Sequence, residues 1–188
     1  MSTVSAPFGL KPVYHPSGQI RPRALADGIA SAYGANLFLG TPVKLNTSGQ
    51  VVVSTGTDSI VGAFAGVEYV DAAGRPHTQG YWATGTVATQ ITAYFHQDPA
   101  IFYAIQATGS LAQTAIGDMA DITNPGAGST ATQTSTAAIS TTLVGAGNSA
   151  QLQVLDLYAT PDNAWGDAYT TVVVRINEHQ LQATVNAI

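Results

Sequence analysis

The sequence predicts a mainly β protein: a sandwich or barrel-like core with an extended, Pro/Gly-rich N-terminal arm and little helix. Three observations carry this. Short apolar runs with period-2 alternation recur between clusters of Gly, Asn, Asp and Pro, the pattern of strands punctuated by turns. No segment sustains the 3.6-residue apolar period of an amphipathic helix. Pro7, Pro12, Pro16 and Pro22 interleave with Gly9, Gly18, Gly28 and Gly34, which favours extended, irregular backbone over helix in residues 1–35.

That first segment also holds three of the six basic residues, Lys11, Arg21 and Arg23, with the aromatics Phe8, Tyr14 and Tyr33. It reads either as an arm laid over a partner or as a leading edge strand on its own domain. From residue 36 the texture is β, and a core domain is expected over 36–115. The run 36–45 leads through Asn46-Thr-Ser-Gly49 into Gln50-Val-Val-Val-Ser54, which makes a hairpin the natural reading. The run Ile60 to Val70 follows, then the turn Asp71-Ala-Ala-Gly74 and a strand running through Tyr81 and Trp82. Strands are expected at 86–95 and 101–107, parted by Gln97-Asp98-Pro99. A second β-rich unit, or a continuation of the same domain, is expected over 116–188. It contains the uncharged loop 124–136, strands at 137–143 and 151–158, and the clearest strand of all, Tyr169 to Ile176 (YTTVVVRI). Gly40-Thr-Pro-Val-Lys-Leu45 and Gly117-Asp-Met-Ala-Asp-Ile122 share a Gly-x-x-apolar-x-apolar pattern, a short internal echo.

Composition narrows function more than any motif does. Charged residues are only 9% of the 188, against about a quarter in an average soluble domain. With six basic and eleven acidic residues the net charge is −5, which argues against a protein that neutralises nucleic-acid phosphates. The absence of cysteine excludes disulfides, Cys-ligated zinc and thiol chemistry. The start Met1-Ser-Thr-Val-Ser-Ala-Pro7 lacks the basic and apolar regions of a secretory signal, and Ile60 to Val70 is too short to span a bilayer, so synthesis in a cytoplasm and no membrane partner are expected. His15, His77, His96 and His179 are scattered and write no zinc motif. Asp156, Asp162 and Asp167 lack the spacing of a calcium loop, and Asp118 and Asp121 are poor candidates for a paired-carboxylate hydrolase. Gly126-Ala-Gly-Ser-Thr-Ala131 imitates a dinucleotide fingerprint without its strand, helix or acid. Asn46-Thr-Ser48 is a formal glycosylation sequon but reads as a turn. No enzyme and no cofactor are expected.

The opening Ala6-Pro-Phe-Gly-Leu-Lys-Pro-Val13, the stretches Gly40 to Leu45 and Ile60 to Tyr69, and the late Pro161-Asp-Asn-Ala-Trp-Gly-Asp-Ala-Tyr169 resemble small head proteins of tailed bacteriophages, the capsid decoration or cement proteins. The block 40–67 is also similar to the β-rich domain of other phage decoration proteins, with a Gly-x-Pro-Val strand followed by an Ile-x-Gly strand. The resemblance implies a virion protein on the outer surface of the head, tying together subunits of the major capsid protein. It further implies self-association, a homotrimer by preference, with a dimer or monomer as alternatives.

On this reading the arm runs along the shell, with Phe8, Leu10, Tyr14, Arg21 and Arg23 as candidate contacts. Trp165, with Tyr81 and Trp82, supplies alternative anchors, because Arg, Tyr and Trp dominate interface energetics. The rival is a host-facing carbohydrate- or receptor-binding β-module, whose cue is the loop from Asp162 to Trp165. A surface of Thr, Ser, Gln and small apolar groups suits a protein that lives in contact, having few charges to desolvate.

Overall fold

Alternation and turn chemistry produce the elements in order. The computed structural model describes residues 2–183. Its strands are β1 (Lys11–Tyr14), β2 (Arg23–Ala26), β3 (Pro42–Leu45), β4 (Val51–Val53), β5 (Gly62–Asp71), β6 (Pro76–Gln79), β7 (Ala88–His96) and β8 (Phe102–Gln106). After a single 3₁₀ turn at Gln113–Ala115 come β9 (Met119–Ala120), β10 (Ile122–Thr123), β11 (Gly128–Ser129), β12 (Thr134–Ser135), β13 (Ala138–Ile139), β14 (Leu152–Leu157) and β15 (Thr171–Ile176). Strand accounts for 39% and helix for 2%, so the molecule is mainly β, with several antiparallel sheets in a sandwich-like arrangement.

The hairpins form where the turn residues stand. Asn46 Oδ1 accepts the N–H groups of Ser48 and Gln50, both at 2.9 Å, and Gly49 takes φ +75°, so β3 and β4 pair with Val43 opposite Val53. Asp71 repeats the device. Its Oδ1 accepts from Ala73 and Arg75 at 2.9 Å each, while Gly74 turns at φ +79° to bring β6 back along β5. These bonds, with His77 and the Arg75 guanidinium alongside, hold the Asp71 carboxyl well below the usual carboxylate range. Two expected strands are shorter than their sequence texture. Past Gln79 the chain leaves β6, and Trp82 bridges Leu37 instead. In the 137–143 run only Ala138–Ile139 pairs, against β10.

The two main sheets repeat one topology. The first has the order β2-β7-β5-β3-β4, with β6 appended to β5. The second has the order β8-β15-β14-β9, with β1 added outside β8, and β10 and β13 form a two-stranded sheet of their own. In each, the first strand in chain order lies beside the last, and the path then passes through a later strand back to the second, all antiparallel. Each also curls back towards its first strand. Val51 N–H donates to Gly28 O at 2.7 Å, and Thr108 N–H donates to Ile139 O at 3.0 Å. The Gly-x-x-apolar-x-apolar echo marks equivalent positions. The N–H groups of Gly40 (φ +82°) and Gly117 (φ +93°) donate to Phe64 O and Val154 O, and the N–H groups of Phe64 and Val154 donate back to Thr41 O and Asp118 O, all at 2.9 Å.

Each sheet encloses its own core. Ile29, Leu37, Val43, Val51, Phe64, Val67, Trp82, Ile91 and Phe95 fill the first. Tyr103, Ile105, Ile122, Ile139, Leu152, Val154, Val172, Val174 and Ile176 fill the second, which Leu10, Ile60 and Ala63 join from outside the repeat. The seams therefore fall elsewhere than residues 35 and 115. β2 belongs to the first sheet and β8 to the second, because β8 pairs with β15 rather than with its neighbour β7. The first 35 residues are likewise no free arm. β1 edges one sheet, β2 edges the other, and Leu10 and Ile29 are fully buried.

His179 closes the described chain against this frame. It is 3% exposed, its Nε2–H donates to Gln97 O at 3.0 Å, and its Nδ1 accepts Leu181 N–H at 3.1 Å. Burial holds its pKa below the ordinary value. The unfolded chain therefore takes up the proton first as pH falls, so the contribution is intact above about 6.5 and is lost below it. Unfolding free energy is expected to drop between about pH 7.5 and about pH 5.5, and to drop less in His179→Gln. Equal pH slopes for the two proteins in urea titrations would refute the assignment.

Candidate partner-binding surface

β15 alternates from Val172 onward. Val172, Val174 and Ile176 point into the second core, which puts Val173 and Arg175 on the opposite, outer face. Register then assembles a row across four strands on that face: Gln153 opposite Arg175, Arg175 opposite Phe102, Phe102 opposite Tyr14. Tyr14 is 52% exposed and tilts over Phe102 with ring centroids 5.3 Å apart. β1 holds this exposed ring in place because its own pairing with β8 is fixed by Leu10, anchored in the core just before it.

Beyond Tyr14 the chain crosses the end of the molecule to reach β2, passing the turn at Gln97 to Ala100. Two depressions meet there at Pro99. One, of about 270 Å³, is lined by Pro16, Phe102, Arg175 and Asn177. The other, shallower and about 400 Å³, is lined by Arg21, Pro22, Arg23, Gln97 and Asp98. Asp98, the one acid lining either, is paired with His15 at 3.2 Å and orders the turn by accepting Ala100 N–H. Arg23 donates to the Gln97 side-chain oxygen. Elsewhere Lys44 is paired with Asp58 at 2.7 Å and Arg75 with Asp71 at 3.0 Å. Arg21, Arg23 and Arg175 have no carboxylate within ion-pair distance among the described residues.

A separate apolar groove of about 500 Å³ opens where the N-terminal segment passes between the sheets, lined by Phe8, Leu10, Pro12, Leu39, Phe64 and Tyr158. Leu39 is 47% exposed there. His96 reaches the groove with its Nδ1 unpartnered, and burial lowers its pKa against a backbone hydrogen bond at Arg21.

The sequence-predicted contacts thus separate into three places. Tyr14, Arg21 and Arg23 gather on one face, joined by Phe102 and Arg175. Phe8 is half-buried in the apolar groove. Leu10 is 0% exposed and belongs to the core, so it is no surface contact; the extended segment is pinned at Gly9 and Leu10 by hydrogen bonds to Ala137 O and Gly40 O. Trp165 is half-buried against the second core, apart from both surfaces. In its loop, the Asn163 amide donates to Tyr158 O and Thr171 O at 2.7 Å each and accepts from Thr171 N–H at 2.9 Å. Asp167 accepts from Ser2 and Ala164 N–H groups at 2.7 and 3.0 Å. Asn163 and Asp167 thus fold the loop, while Asp162 beside them is exposed. Arg175 escaped the sequence reading, although a lone charge in the apolar strand YTTVVVRI was a signal that this strand has an outer face.

Among the described residues no group of three His, Cys, Asp or Glu side chains could hold a metal ion, and no helix is long and apolar enough to cross a membrane. Comparison with protein-family models, with curated proteins and with solved structures finds no match.

Proposed function

We propose that this chain is a structural protein of a tailed-phage virion. It binds the outside of the head and stabilises it by bridging subunits of the major capsid protein, as a self-associated, preferably trimeric, unit. The observation that carries the reading is the convergence of Tyr14, Arg21 and Arg23 with Phe102 around Pro99, since Tyr and Arg at a surface are typical interface anchors. The low charge content of the chain as a whole supports it, because apart from these arginines its surface has few charges to desolvate on contact. Repetition of one modest contact over a shell multiplies its effect, and a protein that binds only the assembled state stabilises that state by mass action.

Location on the virion tests the reading. Density or antibody labelling distributed over the shell lattice is the expected result; labelling confined to a vertex or the tail would refute it. The double reversal Arg21→Glu with Arg23→Glu, at two exposed positions, is expected to lower occupancy on purified heads at least about tenfold with an unchanged melting curve. Full decoration by that variant would remove this face from the contact.

A further inference from the structure

Arg175 is the anomaly of the outer face. Its guanidinium is always charged, yet it has no side-chain hydrogen bond and no ion pair among the described residues, and its Nε is shielded from solvent with no acceptor. A buried donor left without an acceptor destabilises the fold, and such a group calls for a specific explanation. Among the described residues no neighbour accepts from this Nε. Phe102 beside it is apolar, and Gln153 on the other flank, which donates its side-chain NH2 to Gly117 O at 2.9 Å, makes no hydrogen bond to the guanidinium. Pro16, Pro99 and Phe102 give the depression apolar walls, with the neutral amides Asn177 and Gln182 beside them, so nothing in its lining competes for the charge.

We propose that the depression at Arg175 receives a side-chain carboxylate from an acidic segment of a protein partner, with Arg21 and Arg23 in the adjoining depression receiving a second. This rests on the reading of the face as a contact surface and names the chemistry of what it contacts. The planar guanidinium fork matches a carboxylate bidentately, and such a bond satisfies the stranded Nε donor in the same step. Charge complementarity selects the occupant. Among the described residues three arginines without carboxylate partners line these depressions, with Asp98, already held by His15, the one acid beside them, on a chain of net charge −5. Two depressions meeting at Pro99, with the Tyr14–Phe102 ring pair beside them, suit a chain that presents acids and apolar contacts in sequence. A phosphate chain would meet the same net negative charge without using the apolar walls.

The experiment is an NMR titration of the full chain, following the arginine Nε–Hε and backbone amide signals. The probes are a blocked tetraglutamate peptide, its tetraglutamine counterpart and inorganic phosphate. Tetraglutamate is expected to shift the Arg175 Nε–Hε signal saturably, with an apparent Kd that rises several-fold between about 20 mM and about 200 mM salt. Arg175→Gln is expected to weaken binding at least about tenfold, read at the Phe102 and Gln153 amides. If that variant does not fold, Arg21→Gln with Arg23→Gln, at exposed positions, is expected to weaken it at least about threefold. No saturable shift by about 10 mM peptide, an equal response to tetraglutamine, or phosphate binding as tightly as the peptide would each overturn the proposal. The assay needs no capsid. Peptide binding by a protein that never decorates heads would refute the shell reading alone, and heads decorated equally by Arg175→Gln and the parent would refute the carboxylate site alone.

Discussion

A chain shortened to begin at Ala35 is expected to lose its cooperative unfolding transition. The sequence, read as an arm, suggests the opposite: a folded remainder that has lost only its contacts. The difference lies in where Leu10 and Ile29 sit. Each is within 1% of complete burial, one in each core, and each contributes about 1.5–3 kcal/mol of apolar burial. Their removal also strips β1 from β8 and β2 from β7, which bares the edge of both sheets at once. Against a total stability of about 5–15 kcal/mol, these losses leave no stable native state. A chain beginning at Ala6 is the comparison. It gives up the contacts of Ser2 and Val4 with Asp167 and Gln106, keeps both strands, and is expected to melt cooperatively a few degrees lower. Circular dichroism and urea denaturation of the two shortened chains decide the matter; a sharp transition for the chain from Ala35 would show that the first two strands are dispensable.

Gly62→Ala is expected to cost about 4 kcal/mol or more, among the largest effects available to a single methyl group. Gly62 begins β5 at φ +153°, and an added Cβ would lie 1.6 Å from the His96 carbonyl oxygen. Neither group can yield. The oxygen belongs to the end of β7, the strand on which β5 is paired, with Ala63 opposite His96. Relief requires parting the central pair of the first sheet just where Ala63 and Ile60 reach into the second core, so both halves of the molecule are affected. Gly34→Ala supplies the control, with open space around the new methyl and no unusual φ, and is expected to lie within about 1 kcal/mol of the parent. Urea midpoints for the two variants check the contrast. A Gly62→Ala protein as stable as the control would mean that β5 and β7 are not packed as described.

Much of the local structure was legible beforehand because its causes are local. Asn46 and Asp71 each bind backbone N–H groups two and four residues on, so the residues that make the turn also announce it. Alternation over 151–158 and 169–176 marked β14 and β15 because one face of each is buried. The echo at Gly40 and Gly117 was visible for the same reason, since both positions need a left-handed glycine before a strand. Where the local signal misled, a longer-range contact had prevailed. Trp82 left its strand texture to bridge Leu37 inside the first core.

The surface was only half visible. Tyr14, Arg21 and Arg23 could be named because aromatic and basic residues stand out in a nearly uncharged chain. Phe102 and Arg175 could not be joined to them, because periodicity says that a residue faces outward but not which strand lies beside it. That choice rests on pairing between segments far apart in sequence, whose partners are selected by the burial of whole faces rather than by neighbouring residues. The amino-acid sequence by itself determined a mainly β chain without cysteine, its turns and most of its strands, through interactions a few residues long. Only the tertiary structure decided that the first two strands edge different sheets, that the two halves repeat one topology, and that three arginines meet around Pro99. Each of those outcomes depends on which strand edges hydrogen-bond once both cores are closed.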